Sequence, residues 1–407
     1  MGMLEPFSDH RPTIREIWRD IGPVQLATGF VAFLFGATGP LAIILSVGKV
    51  GGLSDGQLAS FVFAVFFING LITLALTWAY RQPIGIFWTI PGTVLIGPAL
   101  THLSFPEVVG AFYVTSLLVI ALGWSGLAKK FLQWVPMPIV MSMVAGVFLR
   151  FGLDIIRALD SDFALAGAMV AAFLLLSVFP RIARFMPPIF GALVVGAIIA
   201  YTSGRLDFSS LNGLEFVRPL VVTPVFSTAA LVELVIPLAI TIIIVQHGQG
   251  LAVLTNAGHT PPMTAITVVT GIGGLLSAVV GAVGSSLTGP TNGLITSAGP
   301  KECHYATALV TALIAMLFGL LSPNFTALML STPRELIMAL GGLAMLRVLQ
   351  ASFVASFKGP FSFGALVCLL VTVADKPLLH IGSAFWGLVA GVAIAALLEP
   401  KDFKQLR

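Results

Sequence analysis

Apolar runs close to the ~20 residues that a helix needs to cross a bilayer recur from Gln25 to Leu398. No other feature constrains the fold as strongly. Of the 407 residues, 57% are hydrophobic and 9% charged, against about 25% charged in an ordinary soluble domain. A soluble fold would leave far too much of that apolar surface exposed. The chain reads as an all-α integral membrane protein with almost no room for a soluble domain.

Apolar runs between turn signals give fourteen expected spans. The first seven lie near 25–47, 57–79, 84–100, 107–126, 137–156, 163–179 and 187–203. After a connecting loop at 204–231, the second seven lie near 232–255, 264–282, 284–298, 304–322, 334–353, 359–374 and 381–398. An even count puts both termini on one side, and thirteen Lys and Arg against six place that side in the cytoplasm. The net charge of +4 is explained by this orientation rather than by nucleic acid. Residues 1–24 mix Arg11, Arg15 and Arg19 with Glu5, Asp9, Glu16 and Asp20 and have no apolar h-region. They read as a cytoplasmic segment that caps the first helix, not as a signal peptide.

The two halves resemble each other at an offset of about 197 residues. "PMPIVMSMVAGVFLR" (136–150) aligns with "PRELIMALGGLAMLR" (333–347), and "GAMV" (167–170) with "GALV" (364–367). "FGALVVG" (190–196) falls near "WGLVAGV" (386–392), and "IPGT" (90–93) near "TGPT" (288–291). Each repeat, 25–203 and 232–398, would hold seven spans. An odd number forces the second to enter from the opposite face, which is the inverted repeat of secondary transporters.

Spans three and ten are the shortest and the most interrupted by Gly and Pro. "GIFWTIPGTVLIGPAL" (85–100) thereby pairs with "GAVGSSLTGPTNGLITS" (281–297). Paired discontinuous segments of this kind point to a transport site, because non-helical backbone survives at membrane depth only against protein or a water-filled cavity. Two half-helix N-termini meeting near the midplane would form an anion site without a buried Lys or Arg. Thr89, Gly92, Thr93, Ser285, Ser286, Thr288, Thr291 and Asn292 would add neutral donors. The competing role for these residues is plain helix kinking, with the hydroxyls bonded to their own backbone.

Span eight, "IPLAITIIIVQHGQGLAVLTNAGHTPP" (236–262), places Gln246 and Gln249 on one helix face. Polar groups in lipid face a cavity or another helix, so both binding and interhelical hydrogen bonding are open to this pair. His247 points about 100° away and is a candidate for proton coupling or for a buried structural role. Arg150 and Arg347 occupy matching places in the two halves, with Asp154 one turn from Arg150. Snorkelling or pairing accounts for them.

No cofactor or metal is expected. "TGIGG" (270–274) lacks the strand–helix crossover unit of a dinucleotide site, and no phosphate-binding GxxxxGK[ST] motif occurs. Cys303 and Cys368 make neither a disulfide framework nor a four-ligand site. His102, His247, His259, His304 and His380 lack metal-ligand spacing. No nucleophile–base set suggests an enzyme, and a channel would not need inverted repeats around a closed central site.

"YRQPIGIFWTIPGTVLIGPAL", "VAGVFLRFGLDIIRALD" and "QHGQGLAVLTNAGHTPP…TGIGGLLSAVVGA" resemble the benzoate–proton symporter family. That family is similar to a larger seven-plus-seven group that includes nucleobase–cation symporters and several anion carriers. The resemblance runs from about residue 25 to 398. It implies a core domain of spans 1–4 and 8–11, a gate domain of spans 5–7 and 12–14, and an elevator-like or rocking motion between them. It also implies an inner-membrane location, a homodimer, and a small aromatic carboxylate such as benzoate as substrate, moved with a proton. Carried onto this chain, the site would draw on Trp88, Thr89, Pro91, Gly92 and Thr93, on Gln246 and Gln249, and on Ser286, Thr288 and Asn292, with Gly36, Ala37 and Thr38 closing it. Nucleobase symporters of this fold carry acidic residues in spans eight and ten, and here no carboxylate stands in those stretches. A neutral, donor-rich site suits a carboxylate ligand, and Phe87 and Trp88 suit an aromatic ring. A nucleobase-like heterocycle or a small inorganic anion is the alternative cargo.

Overall fold

A computed structural model describes residues 4–37, 39–134, 136–179, 186, 188–205, 213–330, 332–374, 376 and 383–403. Among the described residues, six helices are long and apolar enough to cross a membrane: Pro23–Val50, Asp55–Tyr80, Phe105–Trp124, Met137–Ser161, Thr228–Asn256 and Lys301–Leu320. Shorter apolar helices, among them Ile90–Ala99, Phe163–Val178, Pro188–Thr202, Met263–Val279 and Ser362–Val373, pack between and beside them. The chain is a multi-pass, almost wholly helical membrane protein.

Helix starts at the aqueous faces are written locally. Ser54 and Gln57 form a reciprocal capping box, the Gln57 side chain accepting from the Ser54 amide at 2.9 Å. Ser104 and Glu107 do the same ahead of Phe105–Trp124. Each box satisfies amides that have no partner within the helix.

The helices Met137–Ser161 and Arg334–Phe357 derive from the aligned "PMPIV" and "PRELI" stretches and lie against each other. A side chain at Gly342 would collide with Ile155 and the backbone of Phe151, so the missing Cβ sets how closely they approach.

Two three-residue strands interrupt the helical bundle. β1 (Ile86–Trp88) and β2 (Ser285–Leu287) pair antiparallel, with Ile86 opposite Leu287, Phe87 opposite Ser286 and Trp88 opposite Ser285. All six residues are buried. A two-stranded ribbon in lipid needs its outer edges satisfied. Thr73 and Thr77, one turn apart on Asp55–Tyr80, supply that for β1. The Thr73 hydroxyl donates to the Ile86 carbonyl at 3.1 Å and accepts from its amide at 2.8 Å. Thr77 treats Ile84 in the same way at 3.4 and 3.3 Å.

The N-terminal segment folds back over one face. Glu5 accepts from the Thr264 and Ala265 amides, each at 3.0 Å, and so caps Met263–Val279. Its carboxylate also meets Lys129 at 2.6 Å, on the helix Leu127–Trp134. Partial burial works against the Glu5 charge, but the Lys129 ammonium and the two amides outweigh it and hold the carboxyl at about 2.

Candidate functional site

Each strand runs directly into a short helix with proline in its first turn. β1 leads through Thr89 into Ile90–Ala99, with Pro91 at its start, and β2 leads through Thr288 into Gly289–Ile295, with Pro290. Proline costs nothing there, because its missing N–H would be unpaired anyway. The antiparallel ribbon brings the two helix starts together at the centre of the molecule.

The two starts are chemically unequal. The Thr89 hydroxyl is committed: it accepts from the Gly92 amide at 3.1 Å and donates to the Thr241 hydroxyl at 3.0 Å. Thr288 makes no side-chain cap bond, and its buried hydroxyl has no partner. The first helix start is closed by its own cap, and the second is left open.

The opening gives onto a pocket between the two helix starts and Thr228–Asn256. One wall is aromatic and formed by Phe87 and Trp88, with Phe35 and Gly36 beside them. Phe66 braces this wall from behind, its ring 5.2 Å from that of Trp88. Pro91, Pro290, Thr288 and Thr291 line the helix-start side, and Gln246 and Gln249 face them from Thr228–Asn256. Phe148 and Met345 close the cavity from Met137–Ser161 and Arg334–Phe357. No lining residue is charged.

Two buried donors of residues that line the cavity are unsatisfied. The Trp88 indole nitrogen and the Thr288 hydroxyl have no hydrogen-bond partner, in residues only 1% and 3% exposed. The Gln249 amide nitrogen reaches only the Met141 thioether, at 3.4 Å, and sulfur is a weak acceptor. Unpaired donors buried beside an aromatic face are costly without a ligand. An anionic acceptor attached to a flat ring satisfies both features.

The structure gathers Gly36, Trp88, Pro91, Gln246, Gln249 and Thr288 around the cavity. It turns the other expected site residues to structural work. Thr93 donates to the Thr89 carbonyl at 3.0 Å, and Gly92 is wedged against Leu238 and Thr241. The Ser286 hydroxyl points at the Phe87 carbonyl at 3.5 Å, and Asn292 clamps Gly85 with its side-chain oxygen and nitrogen at 2.9 and 2.8 Å. His247 is fully buried away from the cavity, 3.3 Å from the Thr270 hydroxyl. Thr38 and His380 lie outside the described residues. Phe35, Phe148 and Met345 went unread, because their role follows from packing between distant helices and leaves no local signal. Among the described residues, no three His, Cys, Asp or Glu side chains gather as metal ligands.

Residues 19–397 match the family described as benzoate membrane transport protein. The chain belongs to that family. It is 31% identical to the inner membrane protein YdcO of Escherichia coli (strain K12) over 376 residues, covering 91% of this chain and 95% of the relative. It is 26% identical to the benzoate membrane transport protein of Acinetobacter baylyi over 380 residues, covering 92% and 95%. The transmembrane domain of the cyanobacterial bicarbonate transporter BicA superimposes with a TM-score of 0.60 at 18% identity, covering 94% of this chain and 99% of that one. The chain thus has the BicA-type fold. Its relatives are membrane transporters rather than enzymes.

Proposed function

We propose that this protein imports an aromatic carboxylate such as benzoate together with a proton. The observation that carries the reading is the cavity wall, where the Phe87 and Trp88 rings stand beside unpaired Trp88 and Thr288 donors with no acidic residue among them. A fixed carboxylate there would repel the ligand, and a fixed cation would hold it too tightly to release. Neutral donors at an open helix start stabilise the anion while leaving the complex reversible. The name of the Acinetobacter relative supports the same cargo.

In this reading the chain has fourteen spans, with the strand–helix units as discontinuous spans three and ten. Spans 1–4 and 8–11 form the moving core, and spans 5–7 and 12–14 form the gate. The cavity sits at their boundary, where Phe148 and Met345 of the gate helices seal the ligand against the core. Sliding of core against gate, within a homodimer whose termini are cytoplasmic, exposes the cavity to each side in turn. A small inorganic anion is the second reading, favoured by the likeness to a bicarbonate transporter, but an aromatic wall contributes nothing to its binding.

Purified protein in liposomes should accumulate labelled benzoate faster under an inward proton gradient than without one. Accumulation of bicarbonate or uracil with no response to any aromatic acid would refute the assignment. A thermal-shift series over the same compounds gives the binding order independently, because a ligand of the native state raises apparent stability.

A further inference from the structure

A second titratable centre lies outside the cavity, at the far ends of two of the helices that build it. Glu233 stands near the start of Thr228–Asn256 and is only 6% exposed. Its carboxylate meets the His102 imidazole at 2.9 Å, and His102 follows the end of Ile90–Ala99. The His102 side chain is 46% exposed. The pair therefore has one buried member and one in contact with water. His102 is the ion-pair partner of Glu233 among the described residues.

Its position is fixed by connectivity. The helix Phe105–Trp124 spans about 30 Å and ends near Lys129, which meets Glu5 of the N-terminal segment. His102, just before that helix, lies on the opposite face. The other titratable groups on the helices packed against this stretch are Glu107 and Tyr113 of Phe105–Trp124, Lys49 of Gly39–Val50, and Arg150, Asp154, Arg157 and Asp160 of Met137–Ser161. The Glu107 carboxylate is held by the Ser104 amide and hydroxyl at 2.9 and 2.7 Å. Glu215 and Arg218 precede the Glu233 helix, and the Glu215 backbone is held by Asn324.

We propose that His102 and Glu233 form the proton-loading site of the symporter, open to the face opposite the N-terminus. This rests on the proton-coupled reading above. With His102 neutral, its Nε2–H donates to the Glu233 carboxylate and the pair carries one negative charge. A proton from water enters at the exposed imidazole and crosses the hydrogen bond to give imidazole beside carboxylic acid. The pair is then neutral. It returns the same proton when it meets the other aqueous side, so nothing is consumed.

The pair is mechanically joined to the cavity. His102 and Trp88 flank the two ends of Ile90–Ala99, while Glu233 and Gln246 lie about 20 Å apart along one helix. The start of Ile90–Ala99 meets the other helix between Glu233 and Gln246, where the Thr89 hydroxyl donates to Thr241 at 3.0 Å. Between Glu233 and Gln246 the helix is soft. Pro237 cannot donate to the Glu233 carbonyl, and Thr241–Gln246 winds as a π-helix. An unprotonated pair adds a second buried negative charge to a core that already carries the substrate anion. That doubly charged state is disfavoured in a low dielectric, which links proton to cargo.

The test compares wild type with Glu233→Gln in proteoliposomes. Accumulation driven by an inward proton gradient should fall roughly tenfold or more, within the range of linked sites. Benzoate counterflow at equal pH should persist, because the cavity is intact. Wild-type-like accumulation by the variant overturns the proposal. Failure of the wild type itself to accumulate benzoate refutes the substrate reading instead. A transport-independent measurement decides the proton site either way. Acidification should produce the carbonyl stretch of a protonated carboxylic acid in infrared difference spectra of wild type, and Glu233→Gln should lack it. A band that survives the substitution, or is absent from wild type, overturns the assignment. If that variant cannot be recovered, His102→Gln is judged on proton-driven accumulation, which should fall in the same way, and wild-type-like accumulation overturns the proposal.

Discussion

Asn292 is the residue on which the ribbon and both helix starts depend. Its side-chain oxygen accepts from the Gly85 amide at 2.9 Å, and its nitrogen donates to the Gly85 and Thr288 carbonyls at 2.8 and 2.6 Å. Asn292→Ala removes all three bonds and leaves the buried Gly85 amide without a partner. A side-chain hydrogen bond inside a membrane protein contributes about 0.6 kcal/mol on average, and an orphaned buried donor costs about 1–3 kcal/mol. The substitution should therefore destabilise the fold by about 2–4 kcal/mol, read as a shift in reversible unfolding by a denaturing detergent. Asn292→Asp is the sharper probe. It keeps the shape and the acceptor for Gly85 but replaces a donor with an acceptor facing two carbonyl oxygens. At neutral pH it should be less stable than Asn292→Ala, and acidification, which restores a proton, should narrow that gap. Stability of Asn292→Ala within about 0.5 kcal/mol of wild type, or an aspartate variant at least as stable as the alanine one, would refute the clamp.

Trp88→Phe keeps the aromatic wall but removes the unpaired indole N–H; benzoate affinity should fall about tenfold for the loss of one hydrogen bond to a charged group, measured by calorimetry, and unchanged affinity would remove Trp88 from the carboxylate site. Thr89→Ala and Thr288→Ala should dissociate: the first loses a helix cap and about 1 kcal/mol of stability, whereas the second leaves stability intact and weakens benzoate binding. Equal effects of the two on both readouts would contradict the unequal helix starts. Glu5 titrates at about 2 in place of 4.5, so its stabilising contribution is full above about pH 4.5 and is lost as the pH falls towards 2. Hydrogen exchange of the Thr264 and Ala265 amides that Glu5 caps, corrected for its intrinsic pH dependence, should therefore quicken over that window in wild type, and Glu5→Gln should exchange readily at every pH. His259, in the turn after Thr228–Asn256, is pushed down from 6.5 to about 4 by burial and by its neighbours His304 and Lys301. Its unfolded form takes up a proton first, so stability should fall as pH drops from 6.5 to 4. Melting curves of His259→Gln should lose that dependence.

The sequence exposes the frame of this molecule more readily than its contacts. "IPGT" and "TGPT" show where helices begin, because the first turn is where proline costs least, and the helices start at Ile90 and Gly289. What each hydroxyl does from there depends on partners far along the chain. Thr89 and Thr288 occupy equivalent places, yet Thr241 lies within reach only of the first. Thr73 and Thr77 read as ordinary polar residues in an apolar helix, because the strand edge they satisfy exists only once the chain has folded. Asn292 carries the groups of a ligand-binding residue and spends them on the backbone of Gly85, about two hundred positions away. Phe148 and Met345 reach the cavity from helices whose own patterns say only that they are buried.

The two helix starts show why a pseudo-symmetric fold need not build a symmetric site. A carboxylate presents its charge at one end of a flat ring, so it needs donors on one side and apolar surface on the other. Two equally open helix starts would attract charge from both sides and leave the ring without a seat. Capping the first with Thr89 removes that competition and converts its strand into a rigid wall, with Trp88 and Phe87 held against Phe66. Leaving Thr288 uncapped keeps a free donor at the second helix start, in addition to the Trp88 indole N–H. In the proposed symport the same division keeps fixed charge out of the cavity and leaves proton handling to Glu233 and His102, at the far ends of two of its helices. Ligand and proton would then be bound by different chemistry in one body, and each would affect the other only through the helices they share.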